Sequence, residues 1–219
     1  MSLPERWPQI VMLCLLLVGF QQLASAGLIK AKASLAPLLI ERAWTQSLSS
    51  NGTPVLPWPW ADTWPVARLQ VPASDIDLLV LAGDSGNALA FGPGHAIASA
   101  SPGEQGTVVI GGHRDTHFAF LRDLKPTATL QLQNAQGITR TYRIQDIAVI
   151  DASEQQWSVA ETHDTLLLVT CYPFDALLAG GPLRYVVSAV PAPSHPGPES
   201  LPGALSAATI TQVSQRLNP

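Results

Sequence analysis

A chain of 219 residues, 13% of them charged and with a net charge of -4, is sized for one domain with appendages. That balance, with no basic stripe, excludes a strongly electrostatic role on nucleic acid or on an anionic lipid surface. Of the two cysteines, Cys14 sits in an apolar N-terminal segment and Cys171 in the body of the chain, so the folded domain has no internal disulfide to staple it.

In chain order, residues 10–29 come first, a run without a charged side chain. It can cross a hydrocarbon core of ~30 Å at ~1.5 Å rise per residue. Two readings stand: a retained signal-anchor, or a removable signal peptide with Arg6 before an apolar stretch and Ala24-Ser25-Ala26 as the cleavage site. Lys30 and Lys32 flank the far end more strongly than Arg6 flanks the near end, so charge bias read alone points the wrong way for an exported domain. Residues 28–48 keep a helix-compatible apolar pattern that Pro37 breaks, predicting a stalk helix or two short ones. Asn51-Gly52-Thr53-Pro54 ends it. Residues 56–65, LPWPWADTWP, carry prolines that forbid regular ladder pairing. Their three tryptophans either pack on the outside of the domain or form an aromatic belt at a membrane surface.

From Ala67 onward the pattern changes to short strands, predicted at 67–71, 76–81, 107–112, 129–133, 138–150 with a break near Gln145-Asp146, 165–171 and 183–190. Turn signals at Pro72-Ala73-Ser74, Asp84-Ser85-Gly86-Asn87, Pro102-Gly103 and Gln136-Gly137 separate them, and the sum is an all-β domain, best a closed barrel. Short helices are predicted at 92–100 and 116–124. The division that follows is a leader (1–29), a stalk with its Trp/Pro-rich segment (30–65), a β-domain (66–190) and a Pro/Ser-rich tail (191–219) too poor in large apolar residues to order itself.

Three residues stand where an apolar β-run ends or begins: His113, Cys171 and Arg184. Alternation along a strand puts Leu167, Val169 and Cys171 on one side, and Val109, Gly111 and His113 on one side of theirs. The strands 165–171 and 183–190 are natural antiparallel neighbours, which returns Arg184 to the sulfur. A thiolate attacks a carbonyl, an imidazolium protonates a departing amine, and a guanidinium donates to the oxyanion between them. Competing readings are blander. A lone cysteine closing a buried strand is usually a small hydrophobe. His113 and His117 stand four apart, but Arg114 occupies the second position, where an HExxH zinc site needs Glu, so no metal is expected. Asp115 orients His113 or caps a following helical turn, the cap being favoured. Gly83-Asp84-Ser85-Gly86 looks like the nucleophile segment of chymotrypsin-like proteases, but no histidine precedes Ser85, and a turn explains it more simply.

At these residues the chain resembles the sortases, membrane-associated cysteine transpeptidases with an eight-stranded β-barrel. The resemblance covers roughly 58–190 and rests on His113 after a strand, on Leu167-Leu168-Val169-Thr170-Cys171, where the family has Thr first, and on Arg184 on the next strand. The segments Gly112 to Phe118, Thr170 to Ala176, Gly180 to Tyr185 and Pro57 to Pro65 are most similar to the Gram-negative, proteobacterial subgroup. The resemblance implies cleavage of an LPxTG-like C-terminal sorting signal between Thr and Gly, a thioacyl intermediate on Cys171 and transfer to an amine. It implies an envelope protein as substrate, an extracytoplasmic or periplasmic catalytic domain held by its N-terminal segment, and no cofactor, the scattered acidic residues arguing against calcium. The signal would lie in a groove walled by the strand of Cys171 and the loop 172–182. Tyr172 and Asp115 are candidate substrate contacts. Thr170 either touches the signal or packs. The rival classes are a cysteine hydrolase using the same three residues and a non-catalytic, envelope-anchored binding domain.

Overall fold

The computed structural model describes residues 6–84, 86–153, 164–176 and 180–193. Helix α1, Trp7–Ser49, runs unbroken through Pro37, the single stalk helix of the two alternatives. A proline removes one backbone hydrogen bond and crowds the preceding turn, but tertiary packing outweighs that here. Ala36, Ile40, Ala43, Trp44 and Ser47 are all buried, recur on one face of a 3.6-residue helix, and lie against the barrel. Asn51 and Gly52 take positive φ values of 55° and 85°, and the Gly52 N–H bonds back to the Ser47 carbonyl at 2.8 Å. A left-handed cap of this kind stops the helix. The preceding stretch Trp7–Gly27 is unburied and is long and apolar enough to cross a membrane.

Eight strands close into a barrel in the order β1-β2-β3-β4-β7-β8-β6-β5: β1 Pro65–Val71, β2 Ile76–Ala82, β3 Gly94–His95, β4 Thr107–Gly111, β5 Thr129–Asn134, β6 Thr139–Asp151, β7 Thr165–Cys171 and β8 Leu183–Pro191. Seven coincide with the predicted runs to within about two residues, and the break expected near Gln145-Asp146 is a register shift between Ile144 and Asp146 against β8. β3 was not expected. The segment predicted as helix at 92–100 instead carries this two-residue strand, paired with both β2 and β4. Its glycine explains why: a Cβ on Gly94 would fall 2.2 Å from the Gly83 carbonyl oxygen, so only glycine allows the strands to close there. At 116–124 the helix is a shorter 3₁₀ turn, Ala119–Asp123, and a four-residue helix α2, Gly86–Leu89, takes over the second half of the turn predicted at 84–87.

The barrel is filled by alternate residues of each strand, among them Leu69, Val80, Val108, Ile110, Leu130, Leu166, Leu168 and Val187. Each such side chain contributes roughly 1.5–3 kcal/mol by leaving water. Leu167 points the other way yet is also nearly buried, at 7% exposed. The ring order sets β1 and β2, which α1 packs upon, across the barrel from β7 and β8. Arg68 on β1 ties helix to sheet, meeting Glu41 at 3.0 Å and Asp77 at 2.7 Å. The chain beyond β8 is described as far as Pro193, and the expected disordered tail otherwise lies outside the described residues.

Candidate active site

β4 and β7 are a parallel pair, with Gly111 beside Val169, and the Gly112 N–H continues the ladder to the Val169 carbonyl at 3.1 Å. His113 follows directly on this ladder, so it leaves β4 at the same end at which Cys171 closes β7. On the other side β7 and β8 are antiparallel, and Cys171 is the register partner of Arg184. Because Val108, Ile110, Leu166 and Leu168 fill the barrel, the opposite parity, to which Cys171 belongs, faces outward. The topology thus brings Cys171 and Arg184 together on one outer wall, with the loop that carries His113 leaving β4 at the same end. Cys171 and Arg184 are half-buried and His113 is exposed.

The supporting bonds are local. Nη1 of Arg184 donates to the carbonyls of Gly181 at 2.6 Å and Leu183 at 2.9 Å, which fixes the guanidinium at the start of β8 and leaves its Nε and Nη2 hydrogens with no protein acceptor among the described residues. Asp151 pairs in register with Leu183. Its carboxyl sits below the usual range because the Ser153 hydroxyl and N–H both donate to it, with the charge of Arg184 adding to the effect. His117 is pushed below the ordinary imidazole value, first by burial and then by repulsion from His113.

Thr170 is 2% exposed and its hydroxyl donates to the Gly112 carbonyl at 2.7 Å. Its buried hydroxyl links the strand of the thiol to the residue before His113. Asp115 is exposed. The favoured cap does not form, since the 3₁₀ turn starts at Phe118 without a side-chain cap. The loop is closed instead by the Phe118 N–H bonding to the His113 carbonyl at 2.9 Å. Tyr172 follows a cis peptide-free junction with Cys171 and precedes a cis peptide to Pro173, and its ring stacks on Tyr185 at 6.2 Å. It lines a cleft of about 410 Å³ with Arg122, Phe174 and Tyr185. A larger cleft, about 750 Å³, lies along β5 and β6 beside Arg140 and Arg143 and includes none of the three. Among the described residues no cluster of three His, Cys, Asp or Glu side chains is placed to hold a metal ion.

Sequence reasoning missed three supporting residues. Phe118 is fully buried beneath Gly112, where a Cβ would meet its ring at 2.7 Å. The Gly111-Gly112 pair before the histidine was the available signal. Arg114 donates through Nη2 to the Ala176 carbonyl at 2.7 Å, bridging the histidine loop to the segment after Cys171. Arg122 lies 5.2 Å from the Phe174 ring centroid, a pairing across 52 positions that no local pattern announces.

The family model described as a sortase domain matches residues 69–192. Sortase D of Bacillus subtilis is 31% identical over 120 residues, and the match spans 54% of this chain and 60% of that protein. Among solved structures, sortase A from Corynebacterium diphtheriae superposes with a TM-score of 0.54 at 25% identity, covering 75% of this chain and 87% of that one. The catalytic domain of B. anthracis SrtD gives 0.50 at 32%, covering 58% and 87%. A sortase D5 transpeptidase of Clostridium perfringens, at 19% identity and a TM-score of 0.57 over 73% and 99%, shares the fold.

Proposed function

We propose, for a chain that belongs to the sortase family, that it is a cysteine transpeptidase acting on a C-terminal sorting signal of another protein. The observation that supports this reading is the strand register, antiparallel between β7 and β8 with Cys171 opposite Arg184, and parallel between β4 and β7 so that the loop bearing His113 leaves β4 at that same end. The Cys171 thiolate attacks the scissile carbonyl carbon, and a C–S bond forms as the carbonyl pair moves to oxygen. Arg184 donates to that oxyanion from its uncommitted hydrogens. Collapse breaks the C–N bond, and His113 gives its proton to the departing amine. An incoming amine then attacks the thioester, His113 takes up its proton, and Cys171 leaves.

An LPxTG-like pentapeptide is the proposed signal, seated on the outward side of β7 beside Tyr172, and the bond cut lies between Thr and Gly. Unburied and apolar, Trp7–Gly27 would hold the domain at the membrane on the extracytoplasmic side. The relatives named above come from Bacillus, Corynebacterium and Clostridium and lend no support to the Gram-negative subgroup, which stands on the four short segments alone.

The test is incubation of the full chain with a signal peptide, with and without an added amine. Formation of the amine-linked product supports transpeptidation; product that is free acid in both cases assigns a hydrolase. Modification of Cys171 by a vinyl sulfone that is lost in His113→Ala supports catalysis, and equal labelling of both folded proteins would assign a binding domain.

A further inference from the structure

The segment that follows β4 and the segment that follows β7 are docked on each other. Gly112 is tied twice: its N–H donates to the Val169 carbonyl at 3.1 Å, and its own carbonyl accepts from the Thr170 hydroxyl at 2.7 Å. Just past the histidine, Arg114 donates through Nη2 to the Ala176 carbonyl at 2.7 Å. Further on, Arg122 stands over the Phe174 ring, 5.2 Å from its centroid. His113 therefore sits between two ties, one to the residue before Cys171 and one to the loop after it.

Those two ties differ in kind. At Gly112 the tie is a continued strand ladder plus a hydroxyl on a residue only 2% exposed, so it fixes where the His113 backbone begins. It does not fix the turn beyond. That turn closes on itself through the Phe118 N–H and the His113 carbonyl at 2.9 Å, and His113, Asp115 and Thr116 on it are exposed. Half-buried Arg114 adds a contact from outside the turn, and a permanently charged guanidinium bonds a carbonyl more strongly than a neutral donor does. Proton transfer needs heavy atoms within ~2.6–3.2 Å, and a misplacement of about 1 Å costs on the order of 10²-fold in rate.

We propose that Arg114 is a positioning residue for acyl transfer: by holding the loop after Cys171 to the turn of His113, it sets the imidazole within reach of the sulfur and of the departing amine. The inference rests on the transpeptidase reading. Arg114 acts through His113 and through the loop, not on the reacting atoms. Because the same loop walls the proposed groove, a peptide that settles against it moves the histidine through this bond.

The experiment uses the full chain as wild type, Arg114→Gln and Arg114→Lys, with Arg122→Gln as a comparison that loosens the same loop at Phe174 instead of beside His113. Measured are kcat and KM for a signal peptide with an added amine, Tm, and the rate at which iodoacetamide alkylates Cys171, followed at that residue by mass spectrometry. For Arg114→Gln, kcat should fall on the order of 10²-fold with KM within about twofold and Tm unchanged. Alkylation should slow to the rate of His113→Ala, since a nearby imidazolium is what favours the thiolate. Arg114→Lys keeps a donor for the Ala176 carbonyl and should regain about tenfold of the lost kcat. Wild-type kcat and alkylation in Arg114→Gln would overturn the proposal, and so would equal losses in Arg114→Gln and Arg122→Gln, which make both arginines simple loop staples. A rise in KM alone overturns it in favour of a substrate contact. If Arg114→Gln melts early, the lysine variant decides, alkylation slower than wild type supporting the role and an unchanged rate overturning it. A wild type that cleaves no signal peptide removes the transpeptidase reading, and the alkylation rates then decide the positioning on their own.

Discussion

The two opposite walls of the barrel are held in different ways. The β1–β2 wall is covered by a helix whose Trp44 is 1% exposed, and Arg68 pins that helix with contacts to Glu41 and Asp77. The β4–β7–β8 wall has its candidate functional groups at strand ends, two half-buried and one exposed, held mainly by backbone carbonyls and by the Thr170 hydroxyl. The lesson is a separation of duties: buried apolar area supplies rigidity on one side, so the other can leave a thiol, an imidazole and part of a guanidinium without hydrogen-bond partners among the described residues.

Substitutions can break that comparison, and the largest effect should come from Cys171→Ala. Turnover is expected to fall on the order of 10⁶-fold, the scale on which an enzyme loses its nucleophile, with thermal melting unchanged. A fall in Tm with residual activity would show that the two walls are not separable. Next, Trp44→Ala should cost about 3–5 kcal/mol of stability through the cavity it leaves. Its indole N–H has no partner among the described residues, so little hydrogen bonding is lost with it. Urea titration measures the cost, and kcat per folded molecule should hold. Arg184→Ala should lower kcat by about 10²–10³, or ~2.7–4 kcal/mol of barrier, with peptide KM and Tm nearly constant. An equal rise in KM would instead make Arg184 a ground-state contact.

The smallest expected effect is a pH dependence. His117 has a folded pKa below its ordinary 6.5 because it is buried and faces His113. The unfolded chain therefore binds the proton more readily, so this group's contribution is intact above 6.5 and erodes as pH falls from there through the lower folded value. Denaturation midpoints at stepped pH should show this slope, and His117→Gln should flatten it. A slope unchanged in the variant would remove His117 as its source.

The legible parts of the molecule were those governed by short-range pattern. Leu166, Leu168 and Val187 lie in runs whose apolar content announces a buried strand, and His113, Cys171 and Arg184 were picked out as candidates where such runs end or begin. Pro37 left one helix or two open because the face of Ala36, Ile40 and Trp44 that packs across it is a tertiary feature. Gly94 misled for the converse reason: a two-residue strand has no period to read, and its glycine answers to Gly83, which the sequence alone does not bring near. Asp115 offered the right chemistry for a cap, but the Phe118 backbone took over the closure. Arg114 and Arg122 find partners after the fold is complete, so their contacts had no local signature.

The parallel pairing of β4 with β7 also sets an order in time. Adjacent parallel strands cannot be joined by a tight turn, and the bond between Thr170 and the Gly112 carbonyl spans 58 positions. Contacts at that separation are slow to form because the intervening chain must first be closed. During synthesis His113 precedes Cys171, and Arg184 follows both. The nascent chain therefore carries Cys171 with at most one of the other two residues beside it, and the three come together only when the last strand has docked.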